Sequence, residues 1–99
     1  ELYNAAEAGD IKRVEAALQH TPDINWGNPD FFGQTPLYIA SKRGHADVIE
    51  KLVASGADVN KVDIFGQTPL YIASKRGHAD VIEKLVASGA DVNKVDIFG

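Results

Sequence analysis

The stretch 32–66 recurs letter for letter as 65–99, an offset of 33 residues, and one copy reads FGQTPLYIASKRGHADVIEKLVASGADVNKVDIFG. A period of that length constrains the fold more than composition does, because each short unit must bury itself against its neighbours. The N-terminal third is a weaker copy at an offset of 35. Leu2-Tyr3, Ala5, Gly9, Val14, Glu15, Asp23, Ile24 and Asn25 match, or conservatively replace, Leu37-Tyr38, Ala40, Gly44, Ile49, Glu50, Asp58, Val59 and Asn60. The two extra residues are expected after Asn25, within Trp26-Gly27-Asn28-Pro29, where glycine and proline tolerate a longer turn. Three units then fill one domain over residues 1–99: repeat 1 about 1–31, repeat 2 about 32–64 and repeat 3 about 65–99.

Each unit reads as helix, turn, helix and extended loop. Thr35-Pro36 opens the first helix, since the hydroxyl can accept a backbone N–H and proline at the first position sacrifices no needed donor. Leu37, Ile39 and Ala40 give it an apolar stripe. Lys42-Arg43 suit the negative end of the helix dipole, and Gly44 stops the chain there. Val48, Ile49, Leu52 and Val53 line one face of a second helix from about Ala46 to Ser55, which Gly56 ends. The polar run from Ala57 to Gly66 is expected to project as a hairpin or loop. Helices this short are not stable alone in water, so their apolar faces must form one continuous core by stacking. The expected fold is an all-α solenoid of helix-turn-helix units with projecting hairpins or loops.

Composition excludes several functions. There are no cysteines, which removes disulfides, thiol catalysis and cysteine-ligated zinc. Fourteen acidic against ten basic residues give a net charge of −4, which disfavours binding nucleic acid through bulk charge. No apolar run approaches the length of a membrane span. An intracellular, cytoplasmic setting is the expectation.

The motif Gly66-x-Thr68-Pro69-Leu70-x-x-Ala73, followed by Gly77-His78, an apolar helix and Gly89-Ala90-Asp91-Val92-Asn93, resembles the ankyrin repeat along its whole length. The same string stands at Gly33–Asn60. Two departures stand out. Tyr38 and Tyr71 replace the histidine usual in that family after Thr-Pro-Leu, which predicts less rigid loop packing. Val81, Ile82, Leu85 and Val86 belong to an unmodified internal copy where arrays of this family end in a polar cap, so repeat 3 is uncapped. Repeat 1 looks cap-like, with Asp10, Lys12, Arg13 and Glu15 around its second helix. Identity at exposed letters such as Lys51, Ser55 and Lys61 points to a recent duplication, a truncated array or construction from one repeat.

Catalytic constellations are thin. His45 and His78 follow helix-ending glycines and are expected to cap or brace the second helix, while His20 is expected in solvent. Asp47 with Glu50, and Asp80 with Glu83, lie on a convex helix face rather than across a cleft, near Lys51 and Lys84. No metal-ligand spacing or glycine-rich phosphate loop occurs. The chain is therefore expected to be neither an enzyme nor a cofactor or metal binder.

Translation by one unit turns each exposed residue into a row. Phe31, Ile64 and Ile97 form one row, and Phe32, Phe65 and Phe98 another; apolar loop tips either mark an interaction site or pad the next helix. Trp26 presents the same alternatives. The resemblance implies that loop tips and first-helix surfaces hold a partner protein. Mapped here, that surface is Phe31, Phe32, Gln34, Lys42, Arg43, Ile64, Phe65, Gln67, Lys75 and Arg76, with Asp30, Val62, Asp63 and Val95 beside it. The expected ligand is a protein segment with apolar anchors flanked by acid. Self-association through the uncapped repeat is an alternative. A further one, implied by the resemblance, is hydroxylation of Asn60 and Asn93 by an asparaginyl hydroxylase, with Asn25 a looser match.

Overall fold

The computed structural model describes residues 1–93. Among them are six helices: α1 Leu2–Ala8, α2 Ile11–Leu18, α3 Pro36–Arg43, α4 Ala46–Ala54, α5 Pro69–Arg76 and α6 Ala79–Ala87. They form three pairs, and the fold is the expected all-α solenoid. The first helices pack side by side as α1, α3 and α5, and the second helices stack behind them as α2, α4 and α6.

Local chemistry sets the element ends. Thr35 accepts the Tyr38 N–H at 3.0 Å, and Thr68 accepts that of Tyr71 at the same distance. Proline occupies the first helical position in both cases. Gly44 and Gly77 end α3 and α5 at φ of 80° and 77°, a left-handed conformation that glycine adopts without a Cβ penalty. The core runs unbroken through the stack, from Leu2, Ala6 and Val14 through Leu37, Ile49 and Leu52 to Leu70, Val81 and Leu85.

Of the two forms expected for the projecting segments, the described residues take the loop form, with one isolated antiparallel bridge between Asn28 and Gln34 and no strand. Two expectations are corrected. The extra residues of the first loop lie later than expected. Asn25 and Asn60 play the same part, each accepting the N–H of the aspartate one unit on, and Asn28 and Asp63 each donate their N–H to the following glutamine carbonyl. Between Asn28 and Gly33 the chain instead makes a 3-10 turn, Pro29–Phe31, with Phe32 left-handed at φ 58°. Proline supplies the fixed φ of that turn, and the Asn28 side chain caps it through the Asp30 N–H.

The second correction concerns Tyr38. Far from loosening its loop, it bridges units: its hydroxyl donates to Gln67 Oε1 at 3.0 Å, as that of Tyr3 does to Gln34 Oε1 at 3.1 Å. The histidines also reach between units. His45 Nε2 lies 2.9 Å from the Glu7 carbonyl and His78 Nε2 lies 3.0 Å from that of Lys42. Neither side chain caps its own helix, so bracing is what remains of the two roles expected of them.

Candidate protein-interaction surface

The loop tips meet through backbone and side chain together. Ile64 donates its N–H to the Phe32 carbonyl at 2.9 Å, and its side chain lies over Gly33, where a Cβ would come within 3.1 Å of it. The rings of Phe32 and Phe65 pack tilted at 5.4 Å, and Phe31 stacks on Tyr3 at 5.7 Å. Despite this mutual packing the row stays open. Phe31 is 48% exposed, Phe32 53%, Ile64 67% and Phe65 39%. Padding and exposure thus coexist in the same side chains. Ile97, Phe98 and Val95 lie outside the described residues.

The polar members divide. Gln34 is buried and holds the Tyr3 hydroxyl, so its side chain belongs to the inter-unit seam rather than to a surface. Gln67, half-buried, receives Tyr38. Asp63 is buried as well; its Oδ1 accepts the N–H groups of Phe65 and Gln67 and shapes the loop from inside. Asp30 is exposed and Val62 half-buried.

The basic row is also uneven. Arg43 pairs with Glu7 at 3.0 Å. One unit on, the place of Glu7 in the sequence is taken by Lys42, so the column that supplies Arg43 with an opposite charge supplies none to Arg76. Lys75 lies over the Tyr71 ring at 5.9 Å. Lys42, Lys75 and Arg76 make no ion pair among the described residues, in contrast to Arg43.

On the opposite, second-helix side, Arg13 pairs with Glu1 at 3.3 Å within repeat 1, and two further pairs join units. Glu15 meets Lys51 at 3.5 Å, and Glu50 meets Lys84. These exposed pairs fix register more than they stabilise. Beside repeat 1, half-exposed Trp26 borders an open cavity of about 560 Å³ with Leu2, Ala16, Ala17 and Pro22. Exposed His20 stands on the same rim. No helix among the described residues is long and apolar enough to cross a membrane.

The family model for ankyrin repeats, in three copies, matches residues 2–96. The chain belongs to the ankyrin-repeat family. Similar proteins include human Arf-GAP with coiled-coil, ANK repeat and PH domain-containing protein 3, 41% identical over 59 residues, which is 60% of this chain and 7% of that protein. The mouse 60 kDa lysophospholipase is 42% identical over 52 residues, 52% of this chain and 9% of the relative. The Caenorhabditis elegans sex-determining protein fem-1 is 39% identical over 62 residues, 58% of this chain and 10% of the relative. The ankyrin chain thus spans a tenth or less of the length of these relatives, and what they share with it is the repeat. Ankyrin repeats mediate protein–protein interaction.

Proposed function

We propose that this ankyrin array is a non-catalytic scaffold that binds a protein segment along its loop tips and first-helix surface. The observation that carries the reading is the aligned, solvent-facing row Phe31, Phe32, Ile64 and Phe65, held in place by the Ile64 N–H bond and the ring packing. Aromatic side chains on a rigid support supply most of the energy of small interfaces, and pre-packed rings lose little entropy on binding. Lys42, Lys75 and Arg76 beside them favour a segment with apolar anchors and flanking carboxylates, arginine making two parallel bonds to a carboxylate. Gln34 and Asp63 have no part in that contact, and Arg43 contributes less than Arg76 because Glu7 already neutralises it.

Selection of a random peptide library on the intact chain tests this. Enriched peptides should combine an aromatic or aliphatic anchor with acid, lose affinity in salt, and fail to bind the Ile64→Ser/Phe65→Ser chain while its helical CD signal persists. Peptides that bind that variant as well as the parent would refute the proposed surface.

A second reading is supported by the asparagines. Asn25 and Asn60 spend their side-chain oxygens on the Asp58 and Asp91 N–H groups at 2.8 and 2.9 Å, whereas Asn93 is exposed. Of the two candidate hydroxylation positions, Asn93 is the one a modifying enzyme reaches without opening an inter-unit bond.

A further inference from the structure

Among the described residues, Phe32 is the one residue other than glycine with a positive φ, at 58°. A bulky side chain in that left-handed region crowds its own backbone, at a cost of roughly 5- to 30-fold in the folding equilibrium. The repeat supplies an internal comparison. Phe32-Gly33-Gln34 and Phe65-Gly66-Gln67 carry the same letters, and both glycines are left-handed at 72° and 75°, yet Phe65 is not. The strain therefore comes from the longer first loop and not from the Phe-Gly-Gln sequence.

Neighbouring backbone fixes the strained residue in place. The Asn28 carbonyl accepts the N–H groups of Phe31 and Gly33 at 3.0 and 2.8 Å. The Phe31 carbonyl accepts that of Gln34 at 3.0 Å, and the Gln34 carbonyl that of Asn28 at 2.8 Å. Gly27 packs tightly on the same turn, since a Cβ there would come within 2.5 Å of the Gly33 carbonyl oxygen. From the next unit, Ile64 donates its N–H to the Phe32 carbonyl at 2.9 Å. None of these contacts uses the Phe32 side chain, so glycine at position 32 would keep them all and relieve the strain. What glycine would remove is the ring. At 53% it is the most exposed of the described phenylalanines, and its tilted pairing with Phe65 offsets part of the cost, about 2- to 12-fold for an aromatic pair.

Strain held in place by its surroundings, at a solvent-facing side chain, marks a residue kept for what it contacts. Building on the binding surface argued above, on which this assignment rests, we propose that Phe32 is its central anchor. The left-handed turn presents the ring, and the partner segment lays an aromatic or aliphatic side chain against it. The two-residue lengthening of the first loop is then a device of recognition, which sets Phe32 apart from Phe65 in an otherwise repeating row.

Peptides selected on the intact chain, and shown to need Ile64 and Phe65, are titrated against Phe32→Gly and Phe32→Ala. Both variants should bind about tenfold or more weakly, and equally so, because both lack the ring. Their stabilities should nevertheless differ. In urea, Phe32→Gly should have an unfolding constant about threefold smaller than Phe32→Ala, whereas Phe65→Gly should have one about threefold larger than Phe65→Ala. Undiminished binding by both position-32 variants would overturn the anchor while leaving the surface standing. Peptides indifferent to Ile64→Ser/Phe65→Ser would remove the surface and the anchor with it. Binding that recovers in Phe32→Gly relative to Phe32→Ala would reduce Phe32 to a structural role, and the same glycine–alanine order at both positions would refute the strain.

Discussion

Two tyrosines with identical neighbours in sequence allow the inter-unit hydroxyl bond to be measured against its own control. Tyr38 is buried and donates to Gln67 Oε1 at 3.0 Å, while Tyr71 is half-buried and makes no such bond to a following loop among the described residues. Tyr38→Phe keeps the ring and deletes only the hydroxyl. The net value of a typical hydrogen bond is about 1 kcal/mol, and half-buried Gln67 can partly recover water, so a loss of about 1–1.5 kcal/mol is expected. For a chain of this size that lowers the thermal midpoint by roughly 4–10 °C. Tyr71→Phe should change stability by less than about 0.5 kcal/mol, because its ring contact with Lys75 survives. Urea unfolding followed by far-UV CD measures both, provided the slope m stays constant across the series. Equal losses in the two variants would refute the bridging role, since the same letters would then matter equally with and without a neighbour to reach.

Burial, with a smaller contribution from the Glu7 carboxylate, pushes the Tyr3 hydroxyl up to about 12, and burial followed by the Asp63 charge moves that of Tyr38 upward as well. Both groups are favoured protonated in the fold, so their contribution is complete below pH 10; that of Tyr3 is lost as the pH climbs from 10 through about 12 and that of Tyr38 at still higher pH, so urea midpoints should fall above pH 10, and less steeply for Tyr3→Phe. Leu52→Ala, at a fully buried site between units, should cost about 2–5 kcal/mol by chemical denaturation. Intact-mass and fragment analysis after treatment with an asparaginyl hydroxylase should place the first added oxygen on Asn93, with Asn60 modified later or only on partial unfolding; the reverse order would count against the accessibility argument.

How much of this was legible in the sequence follows from the range of each interaction. The helix starts at Thr35 and Thr68, the stops at Gly44 and Gly77, and the apolar face of α4 depend on residues within one or two turns, and the letters state them directly. The contacts that decide the surface join residues 29 to 38 positions apart, and a unit read alone hides them. Gln34 reads as part of the partner-binding surface because the group it holds, the Tyr3 hydroxyl, lies in the preceding unit. Arg43 and Arg76 looked equivalent because each follows the same Ser-Lys; what separates them is Glu7 against Lys42 one unit earlier. That second difference was available as a signal, since aligning the units exposes an opposite charge in one column and a like charge in the next. The position of the extra loop residues was not, because Trp26-Gly27 and Pro29-Asp30 are equally suited to a turn. Only the shared hydrogen bonds of Asn28 and Asp63 fix the register. In a solenoid, then, sequence specifies the unit through short-range chemistry, and the binding surface through column-by-column comparison of units. The exposed Phe-Ile row emerges from that second reading, since it is defined by what the neighbouring unit supplies: the Ile64 N–H reaches back to the Phe32 carbonyl, and Phe65 packs on the Phe32 ring.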